Sequence, residues 1–127
     1  MKQHSDGFLS MVAEAKKHIK EISPLELRQK LDAHKNMHLI DVREDNEWIT
    51  GCIPSAVHLG KGIIERDIEK TFPNKEELII VYCSGGNRSA LVAERLQTMG
   101  YSVVYSLESG LQGWLNSGYS VHEQLLK

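Results

Sequence analysis

Cys83 stands at the end of an apolar run, and two glycines and an arginine follow it before helical periodicity begins: residues 77–96 read ELIIVYCSGGNRSALVAERL. A cysteine becomes a nucleophile or a group carrier when its anionic form is favoured, which takes hydrogen-bond donors, a cation or a helix N-terminus beside the sulfur. The stretch has parts for all three. Gly85 and Gly86 permit positive φ and close approach of the main chain to a bound group. The amides of a tight loop that opens a helix converge into an anion cradle, and the helix dipole adds partial positive charge there. Arg88 contributes a permanent cation with several donors. A plainer reading of the same residues is a strand-to-helix turn with Cys83 as a small hydrophobe. Cysteine, glycines and arginine in one loop favour the activated thiol.

The flanking sequence supplies elements to position that loop. Leu78–Tyr82 reads as a central parallel strand, apolar on both faces, and a helix from about Arg88 to Met99 ends at Gly100. Upstream, Ser23 is an N-cap, Pro24 takes the first helical position and Glu26 completes a capping box for the helix in ISPLELRQKLDA. MHLIDV, residues 37–42, is a short strand, followed by a polar helical turn, REDNEW, and a loop, GCIPSA. AVHL, residues 56–59, reads as a short strand, residues 62–70 as a short helix, YSVVYSL as the next strand and 110–116 as the last helix. Phe8 to Ile19 is amphipathic, an edge-packed helix. Strands alternating with helices imply right-handed crossovers and a mostly parallel α/β sheet covered on both faces, whose ligands bind beyond the carboxyl ends of the strands. Cys83 lies at such an end.

Composition limits the alternatives. At 127 residues one domain is the expectation, and a formal charge of -2 with interspersed signs offers no basic stripe for nucleic acid or an anionic membrane. Two cysteines, Cys52 and Cys83, are too few for a disulfide framework and point to a reducing compartment. No apolar run suits a signal peptide or a membrane span, so a cytoplasmic protein is expected, with no nucleic acid and no membrane among its partners. The six histidines show no metal-ligand spacing, and no metal is expected.

Three segments in order resemble the single-domain rhodaneses, over about Ser23 to Val121. ELIIVYCSGGNRSALVAERLQTMGY is similar to that family's active-site strand, loop and helix, LIDVREDNEWITGCIPSAVHL to its upstream signature, and LESGLQGWLNSGYSV to its closing segment. The resemblance implies an α/β, rhodanese-like fold with a five-stranded, mainly parallel sheet flanked by helices on both faces. The domain is placed at 23–122, and outside the resemblance residues 1–22 are read as an N-terminal helical extension and 123–127 as a short tail. By the same resemblance Cys83 takes a sulfane sulfur from a donor anion such as thiosulfate, becomes a persulfide and passes the sulfur to cyanide or a thiol. A protein sulfur acceptor is a further partner, and no cofactor is required. Ser84, Gly85, Gly86, Asn87, Arg88 and Ser89 are assigned to the substrate cradle, mainly through backbone N–H groups, with the Ser89 hydroxyl as a donor or helix cap.

Two other functions stay open on this reading: a persulfide carrier or docking module for a partner protein, and a cysteine-dependent phosphatase or arsenate reductase. Phosphatases place five residues between cysteine and arginine, whereas Ser84 to Asn87 supply four, a smaller cradle that favours sulfur. Cys52 and Ser55 stand where the family commonly has histidine and glycine. Cys52 is read as a semi-buried loop residue rather than a resolving thiol. Asp41 and Arg43 are read as a structural ion pair, His58 as hydrogen-bonded scaffold, Trp48 and Trp114 as packing groups, and Glu44, Asp45 and Glu47 as a solvated helical face.

Overall fold

The computed structural model describes residues 4–33 and 36–123. Along the chain run α1 (Asp6–Lys16), β1 (Lys20–Ile22), α2 (Pro24–Asp32), β2 (Met37–Asp41), α3 (Asp45–Trp48) and β3 (Val57–His58). They are followed by α4 (Ile64–Thr71), β4 (Leu78–Tyr82), α5 (Asn87–Thr98), β5 (Val104–Leu107) and α6 (Gly110–Asn116). The five strands form one sheet in the order β1-β5-β4-β2-β3, and every pair is parallel. Among the described residues no helix is long and apolar enough to cross a membrane.

Side-chain parity along β4 organises the layers. Successive strand residues point to opposite faces. Accordingly Ile79 and Val81 join one cluster with Ile40, Val42, Ile64, Ile68, Val92 and Leu96, whereas Ile80 and Tyr82 join the other with Leu27, Leu39, Ile53, Leu107 and Trp114. The first layer is α4 and α5, the second α2 and α6. Cys83 continues the parity of Ile79 and Val81 and lies in the α5 layer. Strand alternation thus decides which helix meets the sulfur.

Local signals account for the element ends. Ser23 Oγ accepts from Glu26 N at 3.1 Å while Ser23 N donates to Glu26 Oε1 at 3.0 Å, the reciprocal box read from the sequence, and Pro24 opens α2. The N-terminal segment differs from its expected form as a helical extension. α1 does pack on α5, with Val12 and Ala15 against Ala90 and Leu91. Lys20–Ile22, however, joins the sheet as an edge strand, in register with Tyr105 to Leu107. In the expected tail, residues 124–127 lie outside the described residues.

One buried ion pair fastens the loop after β2. Asp41 and Arg43 are almost fully buried. Arg43 Nη2 donates to Asp41 Oδ2 at 2.8 Å and to the Gly51 carbonyl at 2.6 Å, and Nε reaches both carboxylate oxygens. His58 Nε2 donates to the Arg43 carbonyl at 2.8 Å, and the His58 ring stacks on Trp48 at 4.9 Å. These are the scaffold roles expected of Asp41, Arg43, His58 and Trp48. Trp114 is fully buried and donates from Nε1 to the Ser120 carbonyl. Removing one member of a buried pair strands the other charge. Asp41→Ala is therefore expected to cost about 3–5 kcal/mol, measured by urea unfolding; a loss under about 1 kcal/mol would mean that the pair does not fasten the loop.

Candidate active site

The Cys83 thiol is 1 % exposed and meets the first turn of α5. Its Sγ accepts hydrogen bonds from Gly86 N at 3.2 Å and Ser89 N at 3.4 Å, and the Ser89 hydroxyl lies 3.5 Å away. Ser89 Oγ is in turn 2.8 Å from Ser106 Oγ on β5, and both serines are fully buried. Ser106 shares the parity of Val104, which faces the α5 layer. Sequence reading passed over Ser106 inside an apolar strand, although that parity was a signal that could have found it.

Neighbouring backbone fixes the polarity of the loop. The Cys83 carbonyl accepts from Leu111 N at 2.8 Å and the Ser84 carbonyl from Gln112 N at 3.0 Å, so the opening turn of α6 holds both. In a planar trans peptide the N–H points opposite to the preceding carbonyl. The amides of Ser84 and Gly85 therefore face away from α6. Among the described residues no protein acceptor takes the amides of Ser84, Gly85, Asn87 or Arg88. The opening of α5 thus presents donors beyond the two already on the sulfur, and the dipole of this twelve-residue helix adds to them.

The two loop glycines do different jobs. Gly86 has φ of +96°, and a Cβ there would come within 3.2 Å of Ser109 N. Gly85 does not use the positive φ that a glycine permits, and a Cβ on it would meet nothing within 4 Å. A third glycine, not singled out in the sequence, is stricter than either. Gly110 has φ of +56°, and a Cβ on it would press into the Ser84 carbonyl at 2.7 Å, within the contact that docks α6.

Arg88 departs most from expectation. Its guanidinium is not left free for a ligand but pairs end-on with Glu47, Nη1 to Oε1 at 2.7 Å and Nη2 to Oε2 at 3.0 Å, while Nη2 also reaches the Ser84 hydroxyl at 3.4 Å. Glu47 Oε2 also accepts from Ser84 Oγ at 3.0 Å, and Oε1 from Glu44 N at 3.0 Å. Glu47 is thus no member of a solvated face. The Arg88 guanidinium holds its carboxyl down at about 2 against the opposing effect of burial, with help from the Glu44 amide and the Ser84 hydroxyl. Ser84, Asn87 and Arg88 are half-buried and Gly85 is exposed, so the rim above the sulfur carries this carboxylate and guanidinium together. Cys52 is buried in the loop after α3, its backbone bridged to His122, while the Cys83 thiol is free, so no disulfide joins the two.

Two expectations follow. Gly110→Ala should lower stability by about 2 kcal/mol or more, because a Cβ there demands both backbone movement and a strained φ, while Gly85→Ala should stay within about 0.5 kcal/mol; equal urea midpoints for the two variants would refute the docking account. Because Glu47 sits below its ordinary 4.5 in the folded chain, its pairing stabilises fully above that pH and is lost as pH falls toward about 2. The stability gap between wild type and Glu47→Gln should therefore be constant from neutral pH to about 5 and close below it; a gap that ignores pH would deny the carboxylate its role.

Comparison with known proteins agrees with this architecture. The sequence profile of the rhodanese-like domain matches residues 23–117. A Bacillus subtilis (strain 168) protein named "Putative sulfurtransferase YtwF" is 41% identical over 96 residues, covering 76% of this chain and 90% of its own. The thiosulfate sulfurtransferase GlpE of Coxiella burnetii is 34% identical over 95 residues, covering 75% of this chain and 86% of its own. Among solved structures, a Rhodopseudomonas palustris CGA009 protein of unknown function, described as a possible tyrosine phosphatase, superposes with a TM-score of 0.84. It is 26% identical, and the match covers 96% of this chain and 99% of that one. With the profile spanning most of its length and relatives this similar, the chain belongs to the rhodanese-like domain family.

Proposed function

We propose that the protein is a sulfurtransferase that carries sulfane sulfur as a persulfide on Cys83. The observation that supports this reading best is the pair of amides, Gly86 N and Ser89 N, that donate to the Cys83 sulfur at the opening of α5. Hydrogen bonds to an ionised acceptor are stronger than those to a neutral one, so this arrangement suits a sulfur that is an anion in every resting state of the cycle.

The Cys83 thiolate attacks the terminal sulfur of a donor such as thiosulfate. A new S–S bond forms, the old one breaks, and its electron pair leaves on sulfite. The product is a Cys83 persulfide anion whose outer sulfur takes the unengaged amides of Ser84, Gly85, Asn87 and Arg88, while Gly86 and Ser89 stay on the inner one. Cyanide or a thiolate then attacks the outer sulfur, and the bond electrons return to Cys83 as thiolate. The Ser89 hydroxyl, backed by Ser106, turns toward whichever sulfur carries charge. A partner protein's thiol serves as acceptor by the same step, so carrier and enzyme differ in what discharges the persulfide.

The description of the Rhodopseudomonas palustris relative favours a phosphatase as second reading. Against it stand the four-residue spacing from Cys83 to Arg88 and the engagement of that guanidinium by Glu47, which leaves a phosphate dianion without a free cation.

Intact-mass spectrometry tests the reading. Thiosulfate should add the mass of one sulfur atom to the protein, cyanide should remove it as thiocyanate, and Cys83→Ser should take up none. Uptake by Cys83→Ser, or no uptake by wild type from any sulfane donor, would refute it.

A further inference from the structure

The half-buried rim beside Cys83 pairs one cation with a carboxylate that is locked in place. Glu47 accepts from four donors: both Nη atoms of Arg88, the Ser84 hydroxyl and the Glu44 amide. Its anchorage runs deeper still. α3 begins at Asp45, two residues after Arg43, which the buried Asp41 fixes to the sheet. The carboxylates that act on Arg88 are those of Glu47 and Glu44, and among the described residues no second cation donates to Glu47. Arg43 is no substitute cation, because its guanidinium is buried on Asp41 and the Gly51 carbonyl. A donor that approaches the sulfur therefore meets backbone dipoles and an already neutralised guanidinium, with a carboxylate on the same rim. Dipoles suffice for one negative charge, but each further charge meets repulsion that is only partly screened by solvent.

We propose that Glu47 is a specificity-determining residue that sets the site for sulfur donors carrying one negative charge or none and against dianions. This rests on the Cys83 persulfide reading and names the donor class for it. Thiosulfate remains a donor, at the cost of a high KM. Thiosulfonates and persulfides of low charge are the class the site prefers.

Methanethiosulfonate and thiosulfate make a matched pair of probes, a monoanion and a dianion. With the first, the Cys83 thiolate takes the terminal sulfur and methanesulfinate leaves with the bond electrons; with the second, sulfite leaves. Loading of each is followed by intact mass and by steady-state discharge to cyanide, and each kcat/KM is divided by that donor's rate with free cysteine to remove intrinsic reactivity. The corrected ratio in wild type should favour methanethiosulfonate by about tenfold. Glu47→Gln should lower that ratio by about tenfold, through a smaller KM for thiosulfate. Glu47→Asp, which keeps the charge, should hold the wild-type ratio, as should Glu76→Gln, which alters net charge equally at an exposed position away from the loop.

A wild type that prefers thiosulfate after correction overturns the proposal without any variant. So does a ratio unmoved by Glu47→Gln, a rise in its thiosulfate KM, which would make Glu47 a mere support for Arg88, or a Glu47→Asp that behaves like Gln. If neither donor adds sulfur to wild-type Cys83, the persulfide reading itself fails and takes the proposal with it; loading by both donors at equal corrected rates leaves the persulfide standing and removes the charge selection alone.

Discussion

The hydrogen bonds from Leu111 and Gln112 to the carbonyls of Cys83 and Ser84 decide which way the loop faces. A peptide has a positive and a negative side in fixed opposition, so tethering two successive carbonyls to α6 turns the paired amides the other way. Without that tether the turn after β4 could present oxygen to an incoming anion. Gly110 makes the tether possible, because any side chain there would occupy the space in which the two backbones meet. The preceding residue, Ser109, also has positive φ, at 57°, so two successive left-handed residues swing α6 into place. Backbone strain is here spent on aiming the loop rather than on holding a reactive side chain.

Around this constraint the rest of the fold is a chain of fixed distances. β4, buried on both faces, sets the depth of Cys83; its parity turns the sulfur toward α5; β5, with the same parity, brings Ser106 beneath Ser89. On the far side, the Asp41 and Arg43 pair fixes the residues that open α3, and α3 carries Glu47 to Arg88 across 41 residues of sequence. The site is therefore shared among three consecutive parallel strands and the helices at their carboxyl ends, and no buried side-chain nitrogen or oxygen among the described residues lacks a partner.

What the sequence disclosed follows the range of the forces involved. The capping box at Ser23 and Glu26, the doubly buried β4 and the glycine turn after Cys83 depend on neighbours within a few residues, and all three read directly. Glu47 did not, because a carboxylate in a run of acidic residues looks alike whether its partner is water or a guanidinium from another element. β1 escaped as well: three residues with two exposed carry no periodicity, and the strand exists because β5 offers an edge to pair with. Gly85 and Gly86 look equivalent in sequence, yet the chain needs a left-handed residue at one of them alone. Gly110 was hidden for a different reason, since a glycine that opens a helix gives no sign of what its missing Cβ makes room for.

β1 lies outside the stretch matched by the family profile, which begins at Ser23, and yet it covers one side of β5. A version of the chain trimmed to the match would leave β5, the strand that holds the hydroxyl of Ser106 under the site, with a row of open amide and carbonyl groups. Such rows recruit strands from other molecules. The short segment before α2 thus acts as a seam, closing the sheet on the side where the sulfur-bearing layer would otherwise be free to polymerise.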